Sequence, residues 1–228
     1  MLDRAIEDLT PIGRLAESLE DLSVQAAPPA ELDLGLVPRL RALGAEWALI
    51  RSTLNELDEL QNVVTWRFDE VDLHAFRDHV ELQRLTIKDA PLLESLDGAS
   101  NLPGLEVLSI VGAPRLHDIG DVVDLGATLE EFELERCRSL SAIDDVASLV
   151  NLRFLGVSDC RDIESFAPIE QLQRLEVLYA WGSTRVVDGD LSPLVHLPHL
   201  REIRMQDRRE YRPRVAELQS SLSGSRAE

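Results

Sequence analysis

Three glutamates stand at alternate positions in the segment Glu131-Phe132-Glu133-Leu134-Glu135. In an extended segment alternate side chains share a face, so the three carboxylates lie side by side. Such a group can exchange protons or attract a cation. Catalytic proton transfer also needs a surrounding that moves a pKa toward neutrality, and none is visible here. The other reactive residues are no better supported. His196 and His199 flank Leu197-Pro198 with no cysteine or carboxylate at ligand spacing, too few groups for a metal. His74, His79 and His117 are scattered and expected to be solvated. Asp118, Asp121, Asp124, Asp144 and Asp145 lack the spacing of a calcium loop. No nucleophile elbow, phosphate loop, dinucleotide fingerprint or zinc-protease motif occurs. The chain reads as a non-enzyme with no cofactor and no metal, and the acidic rung must be explained by the element that carries it.

That element recurs. The pattern apolar-x-x-apolar-x-apolar appears at Leu82/Leu85/Ile87, Leu105/Leu108/Ile110, Leu129/Phe132/Leu134, Leu152/Leu155/Val157, Leu175/Leu178/Ala180 and Leu200/Ile203/Met205. The first positions are 23, 24, 23, 23 and 25 residues apart. Counting that first residue as position 1, position 9 is small: Ala90, Ala113, Cys137, Cys160 and Ser183. Position 12 is Leu93, Leu116, Leu140, Ile163 and Val186. Position 15 is Leu96, Ile119, Ile143 and Phe166, with Leu191 after a two-residue insertion in the longer unit. Positions 18 and 21 are apolar throughout, from Ala99 and Leu102 to Leu194 and Leu197. A fixed period of this length marks stacked units, each burying its apolar side against the next.

The unit resembles that of the leucine-rich-repeat family, Leu-x-x-Leu-x-Leu-x-x-Asn/Cys-x-Leu, with Cys137 and Cys160 on the Asn/Cys place. Its short outer segments look internalin-like and bacterial. No unit has Asn on that place, so no Asn ladder is expected. The small residues there suit a tightly turned coil. The resemblance implies an α/β repeat solenoid, an arc with one short parallel strand per unit on its concave face. Pro91, Pro114 and Pro168 interrupt the outer segments, so single turns and 3₁₀ pieces are expected there. Both cysteines are expected as buried packing, although their places on adjacent units make a disulfide geometrically conceivable.

Upstream, Val63/Trp66/Phe68, Gly44/Trp47/Leu49 and Leu19/Leu22/Val24 fit the pattern in weaker form, giving nine strands in all. A turn is expected at Ala26-Ala27-Pro28-Pro29-Ala30. A solenoid's ends need covering. Residues 2–9 offer a short helix at one end. At the other, Tyr211, Val215, Leu218 and Leu222 are spaced 4, 3 and 4, one helical face with Pro213 in its first turn. A single domain over residues 1–222 follows, with weak repeats at 1–81, regular repeats at 82–206, a cap at 207–222 and a disordered tail at 223–228.

In each strand positions 4 and 6 point inward and positions 3, 5 and 7 outward. Stacking at about 4.8 Å turns each position into a column. Three zones are expected on the outward face. Arg67, Arg84 and Lys88 form a basic patch, and Glu131, Glu133 and Glu135 fill one rung. Phe154, Val177, Tyr179 and Trp181 follow beside small Gly156 and Ser158, which leave a depression. Glu131, Glu133, Glu135, Phe154, Val177, Tyr179 and Trp181 are the expected partner-binding residues. The carboxylates would take a Lys or Arg whose stem stacks on Tyr179 and Trp181. Alternatively Phe154 and Trp181 fold on one another or on a cap and only shield the sheet.

Charge narrows the partner. The 23 Lys+Arg against 42 Asp+Glu leave a net −19, which argues against nucleic acid and anionic membrane. It suits a basic partner, and it also keeps an array soluble. Residues 1–8 show no secretory signal, and no apolar run approaches the roughly 18 residues a membrane helix needs. The expectation is a cytoplasmic monomer that binds a protein or peptide on its concave face. The alternatives are an acidic immunity or inhibitor protein that neutralises a basic toxin or nuclease, and a scaffold subunit that self-associates through an uncapped end.

Overall fold

The computed structural model describes residues 9–25 and 32–224, with side chains to residue 222. The expected helix at 2–9, apart from Leu9, the turn at 26–30 and the last four residues lie outside this range. Nine parallel strands form one sheet: β1 (Asp21–Ser23), β2 (Ala42–Glu46), β3 (Asn62–Trp66), β4 (Arg84–Lys88), β5 (Val107–Val111), β6 (Glu131–Glu135), β7 (Phe154–Ser158), β9 (Val177–Ala180) and β11 (Glu202–Met205), each beside the next. Two short strands, β8 (Asp162–Ile163) and β10 (Arg185–Val186), pair separately on the outer side. Leu85, Leu108, Phe132, Leu155, Leu178 and Ile203 align as one inward layer. Ile87, Ile110, Leu134, Val157, Ala180 and Met205 make the second, and both layers are buried. The outer segments carry short 3₁₀ pieces such as Gly120–Leu125 and Ala167–Gln171, the latter with Pro168 in its first turn.

Two backbone devices recur along the stack, the first at every step of the sheet and the second from β3 to β9. The position-2 carbonyl accepts two N–H groups of the following unit, as Glu130 does from Arg153 at 2.8 Å and Phe154 at 3.1 Å. At position 8 the chain leaves the strand in a left-handed conformation: Arg67 (φ 56°), Asp89 (57°), Gly112 (80°), Arg136 (57°), Asp159 (56°) and Gly182 (70°). Non-glycine residues there carry a steric cost. It is offset by a bond to the next rung, such as Asp89 N–H to the Val111 carbonyl at 2.8 Å. The turn drops position 9 inside, where Ala90, Ala113, Cys137 and Cys160 are fully buried. In the longer unit Ser183 is exposed instead and Thr184 is buried, its hydroxyl accepting the Cys160 N–H at 3.1 Å.

The weak repeats are shifted from their expected phase. Leu43 pairs with Val63, which pairs in turn with Leu85, and Ala45 with Thr65, which pairs with Ile87. The inward triplets are therefore Leu40/Leu43/Ala45 and Leu60/Val63/Thr65, buried throughout. Trp47 opens the one-turn helix α1 (Trp47–Ile50), and Phe68 lies past the strand. Both pack with Phe76, at ring-centroid distances of 4.8, 5.5 and 5.8 Å. Leu22 and Val24 stand in the expected phase. At the far end α2 (Val215–Gly224) packs on β11 and includes the first two residues of the expected tail. Tyr211 and Pro213 precede this helix rather than opening it. Tyr211 is buried, with its hydroxyl accepting the Val186 N–H at 3.1 Å, and Asp207 accepts the Val215 N–H at 3.2 Å.

Candidate functional site

Strands β6, β7 and β9, with Trp181 just past β9, bring the seven expected residues onto one face, but around two separate depressions. The larger, about 530 Å³, is lined by Glu133, Glu135, Ser158, Asp159, Tyr179, Trp181, Arg204, Met205 and Gln219 among others. The smaller, about 170 Å³, lies at the strands' entry ends and holds Glu131, Phe154 and Val177 with Glu130, Arg153, Glu176 and Arg201.

In the larger depression the carboxylates are held in place. The buried Ser109 hydroxyl donates to Glu133 at 2.7 Å, and Arg136 pairs with Glu135 at 2.8 Å. The Trp181 residue is 57% exposed, and its backbone N–H donates to the Ser158 hydroxyl at 3.3 Å. The other two aromatic residues of the expected cluster are half-buried. Phe154 meets Tyr179 edge-on at 5.2 Å and 81°, a favourable arrangement of ring quadrupoles. The Tyr179 face expected to receive a partner's cation is already covered by Arg204, whose guanidinium carbon is 4.6 Å from the ring centroid. Glu202 ties both, accepting from the Tyr179 hydroxyl at 3.0 Å and pairing with Arg204 at 2.6 Å. Burial first, then the Glu202 carboxylate, push the Tyr179 hydroxyl above its usual pKa, so it stays a neutral donor. Trp181 is thus the aromatic side chain of the group that faces outward.

The smaller depression is edged by a charge ladder at position 2. Arg153 pairs with Glu176 at 2.7 Å and Glu130 at 3.8 Å, and Arg201 pairs with Glu176 at 2.5 Å. The Arg153 hydrogen bond holds the Glu176 carboxyl below the usual range. These charges are mutually satisfied.

The expected basic patch is dispersed. Arg84 and Lys88 lie on β4, but Arg67 is at the turn past β3 and pairs with Glu46 at 3.2 Å. Trp66 takes the concave place instead, half-buried. His79 departs from its expectation: it is 2% exposed, whereas His74, His117, His196 and His199 are exposed. Cys137 and Cys160 are both free and buried, and the neighbouring Cys160 thiol, then burial, push the Cys137 thiol up. Among the described residues no group of three His, Cys, Asp or Glu is placed to hold a metal ion. No described helix is long and apolar enough to cross a membrane. Asp159, Arg204, Met205 and Gln219 were missed as lining residues. Asp159 is one residue beyond the outward column, and Gln219 comes from α2, donating to the Ile203 carbonyl at 3.0 Å.

This architecture is the leucine-rich-repeat fold in its internalin-like form. The chain is similar to an internalin, InlF, of Listeria monocytogenes, with 19% identity, 87% of this chain and 65% of that one covered, and a TM-score of 0.57. The functional domain of InlJ from the same organism, whose description includes a cysteine ladder, gives 17%, 88%, 42% and 0.62. The ectodomain of the membrane receptor kinase GASSHO1/SCHENGEN3 from Arabidopsis thaliana, in complex with CASPARIAN STRIP INTEGRITY FACTOR 2, gives 18%, 88%, 26% and 0.61. The chain spans 65% or less of the length of these three. Neither a protein-family model nor a curated protein matches the chain by sequence.

Proposed function

We propose that the chain is a non-enzymatic recognition module that binds a protein or peptide on its concave face, as a monomer, at the depression between β6 and α2. The observation that carries this is Trp181, outward-facing beside the Glu133, Glu135 and Asp159 carboxylates. An exposed indole at the edge of a concavity is a typical anchor point, and the carboxylates favour a cation next to it. The ligand side chain stacks on Trp181 rather than on Tyr179, which Arg204 occupies. The receptor ectodomain of like fold, described in complex with a factor, supports a binding role. Net charge of −19 favours a basic partner and keeps an inhibitor of a cationic protein as the second reading.

The test is selection from a displayed random-peptide library with the full chain. Enriched peptides should combine a basic and an apolar residue. They should lose binding about thirtyfold or more to Trp181→Ala, as removal of an interface anchor does. Undiminished binding to a Trp181→Ala chain that melts like the parent overturns the reading.

A further inference from the structure

One column of the concave face runs well beyond that depression. Position 7 places Trp66, Lys88, Val111, Glu135 and Ser158 opposite one another on successive strands. Trp181 continues the column, because its carbonyl accepts the Asp159 N–H just as Val111 accepts that of Asp89. The two tryptophans are five rungs apart, about 24 Å at the sheet spacing of roughly 4.8 Å. Lys88 is the only lysine in the chain, whose other 22 basic residues are arginine. It is exposed and forms no ion pair among the described residues. The Glu46 carboxylate beside Trp66 is paired with Arg67, and on β4 Arg84 and Lys88 outnumber the Asp89 carboxylate just past the strand, so the net local charge at that end is positive. At the other end Glu133, Glu135 and Asp159 outnumber their one cationic partner, Arg136. The column thus reads aromatic, cation, apolar, anion, small, aromatic.

We propose that this column reads a nine-residue extended peptide lying across the strands. An apolar side chain sits at each tryptophan, an acidic one beside Lys88, and a basic one beside Glu135. The proposal rests on the concave-face reading above and sets the length and charge order of its ligand. An extended chain advances about 3.3 Å per residue and turns alternate side chains to one side. Its first, third, fifth, seventh and ninth side chains therefore fall near 0, 7, 13, 20 and 26 Å. Trp66, Lys88, Glu135, Ser158 and Trp181 stand near 0, 5, 14, 19 and 24 Å by the rung spacing. The match pairs acid with Lys88, base with Glu135 and a small residue with Ser158. Reversing the charges sets acid against Glu135 and base against Lys88.

The probes are fluorescein-labelled nine-residue peptides with leucine at both ends, glutamate third, arginine fifth and alanine seventh, and the counterpart with the two charges exchanged. Each is made in both chain directions and read by fluorescence anisotropy against the full chain. The matched order should bind about tenfold more tightly than the exchanged one, the size expected when two exposed ion pairs turn repulsive. Lys88→Glu, at an exposed position, should erase or invert that preference. Trp66→Ala should weaken binding about tenfold or more with the melting curve retained. Equal affinity for the two orders, no measurable binding of any probe, or a preference that survives Lys88→Glu overturns the proposal. If Trp181→Ala still abolishes binding of library-selected peptides in that event, the broader concave-face reading stands and only the nine-residue frame falls. If it does not, both fall.

Discussion

Replacing His79 with glutamine should flatten the acid side of the stability profile. The imidazole is 2% exposed; its Nδ1 lies 3.2 Å from the Leu57 carbonyl and its Nε2 has no partner. Burial lowers its pKa below the ordinary 6.5, outweighing the Leu57 bond and the Asp78 and Asp58 carboxylates that raise it. The folded chain therefore holds His79 neutral where the unfolded chain protonates it. Stability is fully present above pH 6.5 and is lost as pH falls through that value. For a side chain that stays neutral in the fold, the loss between pH 7.5 and 5.5 is at most about 1.4 kcal/mol, from the slope of about 1.36 kcal/mol per pH unit for one proton. Urea unfolding of both chains at the two pH values measures it. Glutamine keeps a donor for Leu57 but does not titrate, so the comparison rests on the change with pH and not on the absolute cost of the substitution. Parallel pH dependence in the two chains would refute the reasoning.

Thr65 sits at inward position 6 between Ala45 and Ile87, with its buried hydroxyl lacking a partner. Thr65→Val should stabilise by about 1 kcal/mol, raising Tm by roughly 2–4 °C in a scanning melt. Gly98 has φ +97°, and an added Cβ would lie 2.8 Å from the His74 backbone nitrogen. Gly98→Ala should therefore cost about 1–3 kcal/mol in urea unfolding. Binding of a basic selected peptide should weaken roughly tenfold from low to high salt, read by anisotropy. A salt-independent affinity would remove the carboxylates from the interaction.

The regular units were legible because the inward strand places from Leu82 onward are all apolar and, apart from Ala180, large, so no other phase fits. In the weak units Ala45 and Thr65 occupy inward places while Trp47, Trp66 and Phe68 stand at or beyond the strand end. Side-chain size therefore points to the wrong phase, and only the backbone register resolves it. The acidic rung and Trp181 were legible for the same reason as the regular core, since outward places follow once inward ones are set. The cover of Arg204 over Tyr179 was not legible. It depends on how two long side chains turn and on Glu202 holding both. Nor was the wall from Gln219, which needs the approach of α2 onto β11.

The solitary lysine also governs how this protein can be handled. Coupling through side-chain amines, the commonest route to a bead or a sensor chip, has one target here, at the middle of the concave face. A chain immobilised that way would turn its recognition surface toward the support and shield it. Under the binding mode proposed here, a negative result from such a capture would report the orientation of the attached molecules.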